Sequence, residues 1–184
     1  STITNFLKKK RFSTHDSDTI VKNIYSKPPP AFIKYLKIIN LGGALKGKKI
    51  NKDLVREEIF NNRNKRKKLE KYIHNEIKKS RDQYLKKNKQ KKTKIIFLDI
   101  PLLFENKLEK ICDYIILLCA PVKTRKQRAS TRKGMQKKIL KKIINNQLSD
   151  RIKKKKADFI VNTSASKTQC FNRILRIIEL IKNK

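Results

Sequence analysis

Four carboxylates and a pair of arginines carry the chemistry this chain can offer. Asp16 and Asp18 follow a run of β-formers from Phe12 to His15, and Asp99 closes a second run, Lys94 to Ile100, with Glu105 shortly after it. In a parallel α/β sheet, ligands gather at the carboxyl ends of the strands, so acids there are placed to meet one. The chain has only fifteen Asp and Glu, which gives weight to finding three of them at two strand ends. A second reading is that Asp16 and Asp18 merely cap the next helix through their side-chain oxygens, and both readings stand at this point. Arg128 and Arg132 lie one helical turn apart and so share one face, which by itself reads as a solvated basic helix face.

The elements that must hold these residues follow from periodicity. Ile3, Phe6 and Leu7 share a face of a short helix over Ser1 to Lys10, with lysines at its end, where cations suit the macrodipole. From Val21 to about Lys91 the texture turns mostly helical. It holds the Pro28-Pro29-Pro30 run, the glycine turn at Gly42, Gly43 and Gly47, an amphipathic piece from Leu54 to Phe60, and a longer one through Leu69, Tyr72, Ile73, Ile77, Tyr84 and Leu85. Lys94 to Ile100 and Tyr114 to Cys119, each ended by a proline, read as buried parallel strands. Ile139 to Leu148 repeats at helical spacing, Lys153 to Lys156 interrupt, and Asp158 to Asn162 gives one more strand. A helix through Phe171, Ile174, Leu175, Ile178 and Ile181 ends the chain. Strands alternating with helices mean α/β with a parallel sheet. Ala120 to Lys123 and Asn162 to Ser164 then join the strand-end positions.

Composition bounds the rest. With 184 residues, 38% of them apolar, the chain is able to bury a core. Its net charge is +35, yet only eleven of its fifty basic residues are Arg. Nucleic-acid readers concentrate Arg, so the lysine excess reads as compositional drift, and charge alone names no partner. The longest strongly apolar runs, such as Tyr114 to Val122, fall far short of the roughly twenty residues of a membrane span. Cys112, Cys119 and Cys170 form no C-x-x-C pair, and with His15 and His74 the only histidines they fit a reducing compartment rather than a disulfide framework or a zinc site.

Taken in order and spacing, a series of segments resembles the dephospho-CoA kinase family. These are Asp16-Ser17-Asp18, Leu54 to Phe60, Leu69 to His74, Asp99-Ile100-Pro101-Leu102-Leu103-Phe104-Glu105, Gln127-Arg128 with Arg132, Gln147, and Ala157-Asp158-Phe159 with Asn162. The resemblance spans nearly the whole chain. It implies an α/β P-loop kinase with a parallel-sheet core at 1–21, 92–123 and 156–184, an inserted helical acceptor domain at 22–91 and a small helical lid at 124–155. The implied reaction moves the γ-phosphoryl group of ATP to the ribose 3′-hydroxyl of dephospho-CoA, with Mg²⁺, in the cytoplasm. By resemblance Asp18 takes the hydroxyl proton, while Arg128 and Arg132 spread over the phosphoryl charge. Ser1, Thr2 and Asn162 face the nucleotide. Asp16, Arg56, His74, Pro101 and Glu105 face the acceptor, and Ser1 and Asp99 serve the metal. Asp16 alternatively orients the loop or the metal's water shell, His74 alternatively packs on a helix surface, and Asn162 alternatively forms an ordinary turn. Leu102 and Leu103 are expected in the core. No specific nucleic acid, no membrane, and a monomer or weak homo-oligomer complete the expectation.

One departure stands out. The glycine-rich G-x-x-x-x-G-K-[ST] loop, whose backbone N–H groups and lysine cradle phosphates, does not occur, although Ser1-Thr2 looks like its last two residues. The resemblance therefore implies a central strand and loop upstream of Ser1, beginning roughly a dozen or more residues earlier, and negligible phosphorylation of dephospho-CoA by the chain as it stands. Competing readings are a basic nucleic-acid-binding protein, another P-loop nucleotide or nucleoside kinase, and an inactive fragment that pairs with another chain.

Overall fold

The computed structural model describes residues 2–131 and 147–183. Ser1, Arg132 and nearly all of the helix expected over Ile139 to Leu148 lie outside them. The chain divides into two compact units, Ser1–Pro101 and Leu102–Lys184.

In the first unit, helix α1 (Thr2–Lys9) leads through a left-handed Arg11 (φ +61°) into strand β1 (Ser13–Asp16). The strand runs one residue further than expected, so Asp16 is both its last residue and the cap of helix α2 (Ser17–Ser26), accepting the Thr19 N–H at 3.1 Å. Helix α3 (Pro30–Ile38) starts on a proline, whose fixed φ suits a first helical position, and Asn40 at φ +58° follows its end. A two-residue turn with Gly47 at φ +58° joins strands β2 (Leu45–Lys46) and β3 (Lys49–Ile50). Asn51 and Asn62 cap helices α4 (Lys52–Asn61) and α5 (Arg63–Gln90), and strand β4 (Ile96–Asp99) then pairs in parallel with β1. One core holds the helices together: Phe32 and Leu36 are fully buried, with Ile24, Leu41, Val55, Leu69 and Ile73 around them. Tyr72 stacks on Phe32 at 5.2 Å between ring centroids and on Tyr35 at 4.5 Å. Leu54 and Phe60, read as part of an amphipathic face, are 39% and 64% exposed. On α4 only Val55 is buried.

The second unit pairs strand β5 (Ile116–Cys119) in parallel with β6 (Phe159–Asn162). Helix α6 (Val122–Ser130) follows β5, helix α7 (Asp150–Lys156) precedes β6, and helix α8 (Lys167–Lys182) closes the chain. A capping box between Ser166 and Gln169 starts α8, which buries Cys170, Ile174, Ile177 and Ile178. Lys153 to Lys156 do not interrupt the chain as expected. They form the last turn of α7, whose N-cap is Ser149 and whose basic end complements the macrodipole. The strands are less buried than their composition implied. Among the described residues β4 and β5 each have one hydrogen-bonded neighbour, all of β4 is half-buried and Leu118 of β5 is 40% exposed.

Candidate active site

In the first unit the parallel register sets Asp16 directly beside Asp99 at the carboxyl ends of β1 and β4. The Thr4 hydroxyl, from α1, donates to Asp99 Oδ2. Asp16 is only 9% exposed. Burial pushes its carboxyl up, but the hydrogen bonds from Thr19, with Lys8 nearby, outweigh that and it ionises below the usual value. Asp18 stands in the first turn of α2, exposed, where a carboxylate also suits the helix dipole. Thr2, the first residue of α1, is exposed as well.

Behind these acids lies a cluster that sequence reasoning missed. His15 is 4% exposed, with Nε2 at 3.2 Å from Ser80 Oγ on α5 and its ring 5.4 Å from that of Tyr84. Burial, with Arg81 adding to it, holds the imidazole below its ordinary pKa. No local pattern marks a strand histidine as the partner of a helix more than sixty residues on.

The expected acceptor contacts stand elsewhere. Arg56 on α4 is exposed and bonded to Asp53 at 2.8 Å; His74 is exposed on α5, and Pro101 is exposed in the turn after β4. An open cavity among the described residues, at Ile38, Asn40, Asn62, Lys65 and Lys68 between the end of α3 and the start of α5, includes none of the expected site residues.

In the second unit the structure brings Arg128 and the loop after β6 together. Arg128 Nη2 donates to the Thr163 carbonyl at 2.8 Å, and Nη1 to Thr163 Oγ1 at 3.4 Å. Thr163 in turn ties the ends of β5 and β6, since its N–H donates to the Cys119 carbonyl at 2.7 Å and its hydroxyl at 3.0 Å. Asn162 shapes the loop as a turn, its Oδ1 accepting from the Ser164 N–H at 2.9 Å and hydroxyl at 2.7 Å. Glu105 points inward to protein groups: its Oε1 accepts from the Leu148 N–H at 3.0 Å and from Lys153 Nζ at 2.7 Å. Leu102, expected in the core, is instead 45% exposed at φ +56°, and Phe104 takes the buried place at 5%. A left-handed leucine costs on the order of 1–2 kcal/mol, and here it lets the chain turn directly after Pro101.

Arg125 and Asp150, which pair with each other, were also missed. Arg125 carried the same signal as Arg128, an arginine in a chain dominated by lysine.

A family model described as dephospho-CoA kinase matches residues 1–169. The chain belongs to that family. A dephospho-CoA kinase of Bartonella quintana is 34% identical over all of this chain and 93% of its own length, and one of Fusobacterium nucleatum is 30% identical over 98% and 92%. The solved dephospho-CoA kinase of Campylobacter jejuni superposes with a TM-score of 0.68 at 25% identity, covering 98% of this chain and 90% of that one. The Thermus thermophilus protein TT1252 shares the fold, with a TM-score of 0.72 at 21% identity over 97% and 89%. Family members are kinases of coenzyme A biosynthesis, and the α/β architecture with parallel strand pairs is that of the family. Among the described residues no helix is long and apolar enough to cross a membrane.

Proposed function

We propose that this protein phosphorylates the ribose 3′-hydroxyl of dephospho-CoA with ATP as donor. The observation that carries the reading is the set of acids where β1 and β4 end: Asp16 beside Asp99, with Asp18 in the adjoining helical turn. Family membership along the chain supports it.

Phosphoryl transfer needs a group to orient the attacking hydroxyl and accept its proton, and cations to spread over the moving charge. Asp18, exposed on its turn, is open to a bound alcohol and takes that proton. Asp16, fixed by its bond to Thr19, holds the α2 turn that presents Asp18, and its charge beside Asp99 serves the metal's water shell. Arg128 supplies a guanidinium at the strand-end loop of the second unit, beside Asn162 and Thr163, where the nucleotide is read, and Arg132 supplies the second fork. Arg56, His74, Pro101 and Glu105 were assigned to the acceptor by resemblance. Arg56 and His74 keep that role here, since both are exposed on the helices of residues 22–91, the proposed acceptor domain. The core is proposed at 1–21, 92–123 and 156–184, and the lid at 124–155.

No three Asp, Glu, His or Cys residues form a metal cage among the described residues. Mg²⁺ binds through one or two carboxylates plus water and substrate phosphates, so Asp99 as a hard oxygen donor fits an ion that arrives with the nucleotide, with Ser1 as the second proposed ligand. Such an ion would neutralise phosphate charge.

Coupled ADP release, measured with and without dephospho-CoA on a chain that carries the glycine-rich phosphate loop, tests the reading. Release that depends on the acceptor supports it. ADP release indifferent to dephospho-CoA but stimulated by another nucleoside or nucleotide would move the protein to another acceptor, and no release with any acceptor would remove the activity.

A further inference from the structure

Helices α6 and α7 bury no side chain, and Val122 and Ile152 on them are 47% and 42% exposed. Hydrophobic packing, which fixes α8, therefore does little to fix these two. Polar contacts take its place. Lys153 of α7 bonds Glu105 at 2.7 Å, each side chain only 15% exposed, and Lys156, one turn on, bonds Glu109 at 3.1 Å. Asp150, in the first turn of α7, pairs with Arg125 of α6. One turn further along α6, Arg128 reaches Thr163. Glu105 also accepts the Leu148 N–H, so it grips the chain on entry to α7 as well as at the fourth residue of that helix, Lys153.

We propose that Glu105 is a positioning residue for Arg128, acting through Lys153, α7, Asp150 and Arg125, rather than a wall of the acceptor site. The contacts form one series within the second unit: ion pairs join Glu105 to α7 and α7 to α6, and the two helices themselves join Lys153 to Asp150 and Arg125 to Arg128. Burial tends to raise the Glu105 carboxyl, and the Lys153 ammonium and the Leu148 N–H more than offset this, so the carboxylate is held charged. Among the described residues the Lys153 ammonium pairs with Glu105 rather than with a group of α6, so its removal is expected to reach α6 along the series.

The inference rests on the kinase reading for its enzymatic consequence, but its first test needs no turnover. Amide hydrogen exchange would compare wild type, Lys153→Met, Glu105→Gln and, as control, Lys154→Met, since Lys154 is exposed and neighbours Lys153 on α7. Lys153→Met should speed exchange in Val122–Ser130 about three- to tenfold while α8 stays unchanged, the scale expected for one partly buried pair. Glu105→Gln keeps an oxygen for the Leu148 N–H and should show a smaller change. Wild-type exchange of α6 in Lys153→Met, or an equal effect in Lys154→Met, overturns the proposal. In the coupled assay Lys153→Met should raise KM for ATP and lower kcat with KM for dephospho-CoA unmoved; a rise confined to the KM of the acceptor would restore Glu105 to the acceptor wall. Inactivity of a chain that carries the glycine-rich phosphate loop would count against the kinase reading and leave the exchange comparison to decide this one.

Discussion

Substitutions at Asp16 separate two jobs held by one carboxylate. Asp16→Ala removes the acceptor of the Thr19 N–H and leaves a donor of the first turn of α2 without its side-chain partner. Losing such a cap costs about 0.5–2 kcal/mol, and because Asp16 is 9% exposed, water replaces the bond poorly, which places the cost near about 1.5–2 kcal/mol. With a urea m-value of about 1–3 kcal/mol/M, the midpoint falls by roughly 0.5–2 M. Asp16→Ser keeps a capping oxygen and should stay within about 0.5 kcal/mol of wild type. Both variants lose the carboxylate beside Asp99, so both should lose turnover alike. Tyrosine emission is a suitable probe, since the chain has no Trp and Tyr25, Tyr35, Tyr72 and Tyr84 all lie in the first unit. Asp16 ionises below its unfolded value near 3.9, so its contribution is full above that pH and drains away as pH falls through the lower folded value. The serine variant should lack that last loss. A serine variant as unstable as the alanine one would refute the cap argument, and wild-type turnover in either would refute the need for the charge.

In a chain that carries the glycine-rich phosphate loop, Asp18→Asn should cut kcat by roughly 10²–10⁴ with ATP affinity little changed, as for a lost acid–base group; unchanged turnover would take Asp18 out of the mechanism. Phe32→Ala should cost about 3–5 kcal/mol in urea unfolding, because the ring is fully buried between Tyr25 and Tyr72, and a loss under about 1 kcal/mol would contradict that packing. His15 is held neutral by burial and by Arg81, with Asp16 opposing and Lys8 assisting. The unfolded chain therefore takes up a proton near pH 6.5 that the folded one refuses, and stability should fall as pH drops from about 6.5 toward the folded value. His15→Gln should flatten that slope, and an unaltered slope would place the titration elsewhere.

Much of this architecture was legible because apolar spacing reports burial. The long α5 and the closing α8 follow from Leu69, Ile73, Ile174 and Ile178, and the prolines after β4 and β5 marked their ends. Lys153 to Lys156 read as a break because a lysine run has no period; the partners that hold it in a helix, Glu105 and Glu109, are more than forty residues away in sequence. Leu102 read as core by composition, yet its left-handed backbone turns it outward. Asp16 could be cap or site, and sequence could not choose because the strand ends on the very residue that starts the helix. His15 gave no sign at all, since what defines its surroundings is the pairing of β1 with α5.

The helices fastened by ion pairs give the second unit a lopsided tolerance of change. Fifty cationic side chains crowd the sequence, so an exposed lysine such as Lys154 has spares close by. Fifteen anionic ones offer no such spares, and Glu105, Glu109 and Asp150 are each committed to a single cation. Genetic drift that keeps exchanging other residues for lysine can therefore run freely over most of the surface, but at these three positions it would set like charge against like and release the segment that carries Arg128.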